Sequence, residues 1–167
     1  MSILGKAQLL FSLQTLNDLL TARNGILMPP GGNLGIPRTQ MPQISDWKRF
    51  ENTLKEYGIS IKKVRRRIGD LKIIQGEVNK DKVFKLMLKY REANQRTRGG
   101  INIPGFPPVI SNDGYILDGN HRQIAMYNVN RHAYQDYTMI DMPIKELYSF
   151  IRENNSAFMF SVKYKSL

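Results

Sequence analysis

The run Gly114-Tyr115-Ile116-Leu117, followed by Asp118-Gly119-Asn120-His121-Arg122 and then Gln123-Ile124-Ala125-Met126-Tyr127, constrains this chain most. Four residues of strand character pass into a helical stretch through a polar cluster containing one glycine. A helix that starts directly behind a buried strand presents unpaired N–H groups and the positive end of its dipole at the turn. That geometry favours an anion, above all phosphate. Gly119 allows close backbone approach, and Arg122 offers a planar fork of donors to phosphate oxygens. A cation so near a helix start is electrostatically misplaced unless an anion shares the spot. Asp118 is a candidate helix cap, metal ligand or base, and His121 a candidate phosphate contact or proton carrier.

A second junction, Gln75-Gly76-Glu77-Val78-Asn79, also passes from strand to helix. Glu77 lies in a basic stretch and is a candidate general base or Mg²⁺ ligand opposite the first cluster. The plainer explanation is that Glu77 favours a helix start electrostatically and Asn79 caps it.

Charge is concentrated rather than spread. Lys48 to Arg98 holds 16 Lys/Arg against 6 Asp/Glu, so nearly all of the net +11 falls within that segment. Lys62, Lys63, Arg65, Arg66 and Arg67 are its densest part, with Arg96 and Arg98 beside Gly99-Gly100 in a predicted basic loop from Gln95 to Phe106. Such a block is the electrostatic footprint of a nucleic-acid-binding surface. It is equally the pattern of a solvated strand and solvated helix faces, and no aromatic residue interleaves it.

Chain length and an apolar fraction of 41% support one folded domain with an appended arm. The chain contains no cysteine, which excludes disulfides, thiolate metal sites and a cysteine nucleophile. No apolar run approaches the roughly 20 residues that span a bilayer, and a secretory leader pattern is missing, so a cytoplasmic protein without membrane contact is expected. Residues 3 to 22 carry a wide apolar helical face, a candidate for self-association into a homo-oligomer. From Asn24 to Ser45 the composition turns Gly/Pro-rich, which predicts a loop or arm rather than a packed element.

Beyond Ser45, a predicted N-cap, the pattern reads as an α+β domain over 46–167, behind an N-terminal helix and arm over 1–45. Helices are predicted from Ser45 to Tyr57, Asn79 to Ala93, the Asp118 cluster to Asn128, and Pro143, at N1, to Glu153. Strands or strand fragments are predicted at Ile59–Arg67 and Leu71–Gln75, and strands at Pro108–Ile110, Tyr115–Leu117, Tyr134–Ile140 and Phe158–Tyr164, with a hairpin at Asp113-Gly114. This order lacks the βαβ rhythm of a doubly wound sheet. Walker A, dinucleotide, zinc-protease and EF-hand signatures are not found, nor a serine in a nucleophile elbow.

The stretch from Pro108-Val109-Ile110 through Gly114-Tyr115-Ile116-Leu117-Asp118-Gly119-Asn120-His121-Arg122 to Ala125 resembles the signature of the ParB/sulfiredoxin superfamily. Leu71 to Asn79 with Lys82-Val83 is similar to the segment that precedes it there, and the resemblance spans roughly Ile59 to Leu147. Partitioning proteins of that superfamily carry a Gly-Glu-Arg-Arg type box for CTP, and sulfiredoxins a Gly-Cys-His-Arg type box that this cysteine-free chain does not match. Asp118 to Arg122 looks closest to the Asp-Gly-His-His-Arg box of the free-serine kinase branch and of small stand-alone phage proteins, with Asn120 in place of the first histidine. The resemblance implies a mixed small sheet with flanking helices and nucleotide-phosphate binding (ATP, ADP or CTP) by Gly119, Asn120, His121 and Arg122. It also implies Mg²⁺ or catalytic roles for Asp118 and Glu77. The expected function is a nucleotide-dependent phosphotransferase or nucleotide hydrolase acting on or near nucleic acid. Its alternatives are a non-catalytic DNA-binding or assembly protein, and a metal-dependent ParB-like nuclease.

Overall fold

Asp46, rather than Ser45, opens the first helix: its carboxylate accepts the Arg49 N–H at 3.1 Å, and α1 runs Trp47–Glu56. The computed structural model describes residues 25–29, 34–37, 40–42, 44, 46–96 and 105–154. The helix predicted over 3–22, the Ser45 cap, most of the loop containing Arg98, and the terminal strand over 158–164 lie outside them. Phe50 and Leu54 bury one face of α1, and the chain leaves it through Tyr57 and Gly58 (φ 72°).

Strand β1 spans Ile61–Arg67 and passes into a 3₁₀ turn at Ile68–Asp70. The strand fragment predicted over Leu71–Gln75 is an extended connection. Among the described residues it makes single bridges, Lys72 with Tyr115 and Gln75 with Ile36, and no ladder. The reason lies in its side chains: consecutive Ile73 and Ile74 are both buried, one in each of two apolar clusters. The segment's backbone is satisfied by separate partners rather than by one ladder. The Lys72 N–H donates to the Gly114 carbonyl and the Lys72 carbonyl accepts the Ile116 N–H, while the Ile74 carbonyl accepts the Ile36 N–H and the Gly76 N–H donates to the Ile36 carbonyl.

Asn79 caps α2 (Lys80–Arg96) by accepting the Lys82 N–H at 3.1 Å. Strands β2 (Val109–Ser111) and β3 (Ile116–Asp118) form the hairpin expected at Asp113-Gly114, where Gly114 takes φ 84°. Helix α3 (Asn120–Asn130), strand β4 (Tyr134–Ile140) and helix α4 (Ile144–Glu153) follow. Pro143 is the residue before α4, one position earlier than its predicted N1 place.

The sheet has the order β1-β4-β2-β3, antiparallel except for the parallel β4/β2 pair. Helices flank it on both sides, as an α+β class requires. Alternation along the strands sends Ile110, Ile116 and Tyr137 into a cluster with α2 and α3, and Val109, Leu117 and Ile140 into a cluster with α1 and α4. The Gly/Pro-rich segment is not wholly a free arm. Ile26 is buried in the first cluster and Met41 in the second, and Leu27 exchanges two 2.8 Å hydrogen bonds with the Asn128 side chain. No described helix is long and apolar enough to cross a membrane.

Candidate functional site

Where β3 ends, the chain must turn at once into α3, and Gly119 makes that turn at φ 99° in the left-handed region. A β-carbon there would sit 3.1 Å from Pro108 Cβ and 3.0 Å from Arg122 Nη2, so Arg122 folds its guanidinium back over the glycine. Gly119, not Asp118, is the N-cap of α3, a residue with no side chain to cap the helix. Arg122 also donates to the Phe106 carbonyl. Burial pushes the Tyr90 phenol up, and the Arg122 guanidinium nearby pulls it partly back.

The two strand-to-helix junctions meet. His121 Nε2 accepts the Asn79 N–H at 3.1 Å, which joins the first turn of α3 to the cap of α2. Accepting at Nε2 requires that nitrogen to be unprotonated, so a neutral ring carries its proton on Nδ1. Between the helix starts lies a cleft of about 290 Å³. Its polar wall is formed by Gln75, Lys82, Asp118, Gly119, Asn120, His121 and Arg122, and its apolar wall by Met41, Pro42, Leu86 and Leu117. Two cations, Lys82 and Arg122, and the start of α3 facing one cleft make it suited to an anion.

Among the predicted site residues, Asn120 lines the cleft but turns its side chain inward. It is 4% exposed, accepts the Ile74 N–H at 3.0 Å and donates to the Ile116 carbonyl. Glu77 does not line the cleft, and its buried Oε2 has no hydrogen-bond partner among the described residues. Asp118 is the carboxylate on the wall, and no group of three or more His, Asp or Glu gathers as a metal cage among the described residues. Lys62, Lys63, Arg65, Arg66 and Arg67 are exposed along β1, away from the cleft lining. Arg96 ends α2, and Arg98 lies outside the described residues.

Lys82 and Gln75 also line the cleft, beyond the site residues expected from the sequence. Lys82 carried a usable signal: like Arg122, it is a cation in a helix's first turn, where the dipole disfavours it. Gln75 carried none, because its place depends on the extended 71–75 connection and on a bond from its side chain to the Glu77 carbonyl. Comparison of the chain with protein-family models, with characterised proteins and with solved structures gives no match.

Proposed function

We propose that this protein binds the phosphates of a nucleotide in the cleft between α2 and α3, as a ParB/sulfiredoxin-type domain, and that it is a phosphotransferase or nucleotide hydrolase working on or near nucleic acid. The observation that carries the reading is the convergence of Lys82, Arg122 and the αL Gly119 start of α3 on one cleft. In this reading Lys82 and Arg122 neutralise phosphate oxygens, the α3 start supplies backbone N–H donors, and Met41, Pro42 and Leu86 give an apolar wall for the rest of the ligand. Mg²⁺ fits the cleft as an ion held by Asp118 and by the ligand's own phosphates, the usual arrangement for this cation. Bound there it would neutralise phosphate charge. Turnover, as distinct from binding, needs a group to take the proton of the accepting hydroxyl, and in this reading the Asp118 carboxylate on the cleft wall takes it.

The exposed basic strand β1 supports the nucleic-acid half of the proposal. A thermal-shift and calorimetric screen of ATP, ADP, CTP and GTP with Mg²⁺, with and without DNA, tests it. At least one nucleotide should bind, and Asp118→Asn should abolish turnover and remove the Mg²⁺ dependence of binding, while Mg²⁺-free binding stays in the wild-type range. Binding without turnover under all these conditions would favour the non-catalytic alternative. Plasmid nicking abolished by Asp118→Asn would favour the nuclease.

A further inference from the structure

Along the sequence no aromatic residue interrupts the basic positions of β1, but the sheet supplies one from another strand. Arg67 pairs with Tyr134, Arg65 with Asp136, Lys63 with Thr138 and Ile61 with Ile140. Directly opposed residues of an antiparallel pair share a face. Ile61 and Ile140 pack with α1 and α4, so all of these side chains lie on that side of the sheet. Among the described residues, the helices cover only one end of it. Ile140 and Thr138 are buried, whereas Tyr134 is 48% exposed and Arg65, Arg67 and Asp136 are exposed. Phe106, 46% exposed, borders the open end: its ring meets Trp47 of α1 edge-on at 4.7 Å, and it lines a depression of about 140 Å³ with Arg122, Gln135 and Asp136.

Exposed rings beside arginine and lysine on an open sheet face match the chemistry of unpaired bases on a phosphate backbone. Stacking needs a base face that a double helix keeps hidden, while guanidinium and ammonium groups take the phosphates. Two carboxylates temper the charge: Asp136 lies 3.2 Å from Arg65 and Asp70 3.5 Å from Arg67. Both pairs are solvent-exposed, and such pairs are weak enough for a phosphate to displace them.

We propose that single-stranded nucleic acid lies across the open end of β1 and β4, with bases stacked on Tyr134 and Phe106 and phosphates held by Lys63, Arg65 and Arg67. This inference rests on the reading that β1 engages nucleic acid and is independent of what the cleft binds. Arg122 lines both the depression and the cleft, so a strand held here passes beside the nucleotide site.

Fluorescence anisotropy with the full chain tests it, using labelled oligothymidylate and oligouridylate of about twelve nucleotides and a duplex of equal length. Either single strand should bind more tightly than the duplex. Tyr134→Ala should weaken single-strand binding about fivefold or more, and Tyr134→Phe should retain it. Asp136→Asn should tighten binding, an effect that a merely structural Tyr134 or Asp136 would not produce. Unchanged melting temperatures for these exposed positions would confirm that the fold is intact. Equal duplex binding with a silent Tyr134→Ala would overturn the inference and leave the nucleic-acid reading of β1 standing. No binding of any of the three at low salt would overturn both.

Discussion

Gly119 holds a backbone conformation that costs an ordinary residue about 1–2 kcal/mol, and its neighbours leave little room for a side chain. Gly119→Ala should therefore destabilise the fold by about 1–3 kcal/mol and displace the Arg122 guanidinium, read as a lower Tm together with weaker nucleotide binding. Asn120 acts in the opposite direction, serving the core rather than the ligand. Asn120→Ala strands the buried Ile74 N–H and should cost about 1–3 kcal/mol in urea unfolding. The special nature of the 118–122 cluster was legible in the sequence because strand, glycine and helix follow one another without a gap. The division of labour inside it was not, because the inward turn of Asn120 depends on Ile74, 46 residues away. Tyr137 adds a pH effect. It is fully buried and donates to Gln123 Oε1 at 2.8 Å, and burial pushes its phenol far above the ordinary 10.0. Above pH 10 the unfolded chain releases that proton while the folded chain keeps it. The contribution is therefore intact below pH 10 and is lost above it by about 1.4 kcal/mol per pH unit. Tyr137→Phe should flatten this alkaline loss of stability while lowering stability at neutral pH by about 1 kcal/mol through the lost hydrogen bond.

Strand β1 is an edge strand, and its Lys and Arg side chains have a structural use besides any ligand: they keep the open edge from pairing with another sheet. β1 was recognisable from its own residues, and so were β4 and the hairpin, because each is bounded by turn residues. The 71–75 segment realises the strand fragment its pattern suggests, as isolated bridges, since a run buried on both sides has the same apolar pattern whether it joins a ladder or threads between two clusters. The aromatic partner of the basic strand was likewise invisible: Tyr134 meets Arg67 through cross-strand register, which sequence spacing does not encode.

At the scale of the whole molecule, the two clusters on either side of the sheet are completed by residues ahead of α1. A chain beginning at Asp46 would lose Ile26 and Met41 from those clusters and the paired bonds between Leu27 and Asn128. It should melt well below the full chain, because removing buried apolar side chains costs about 2–5 kcal/mol apiece. Met41 and Pro42 also wall the cleft, so nucleotide binding should fall with them. The Gly/Pro-rich composition gives no sign that single residues within this stretch reach the core. The most direct test of the phosphate cleft is isothermal titration of the full chain and of Lys82→Ala and Arg122→Ala with the nucleotide found in the screen. Loss of charge-assisted phosphate contacts should weaken binding by roughly tenfold or more in each variant at unchanged fold. Unchanged affinity in both would contradict the cleft as the phosphate site.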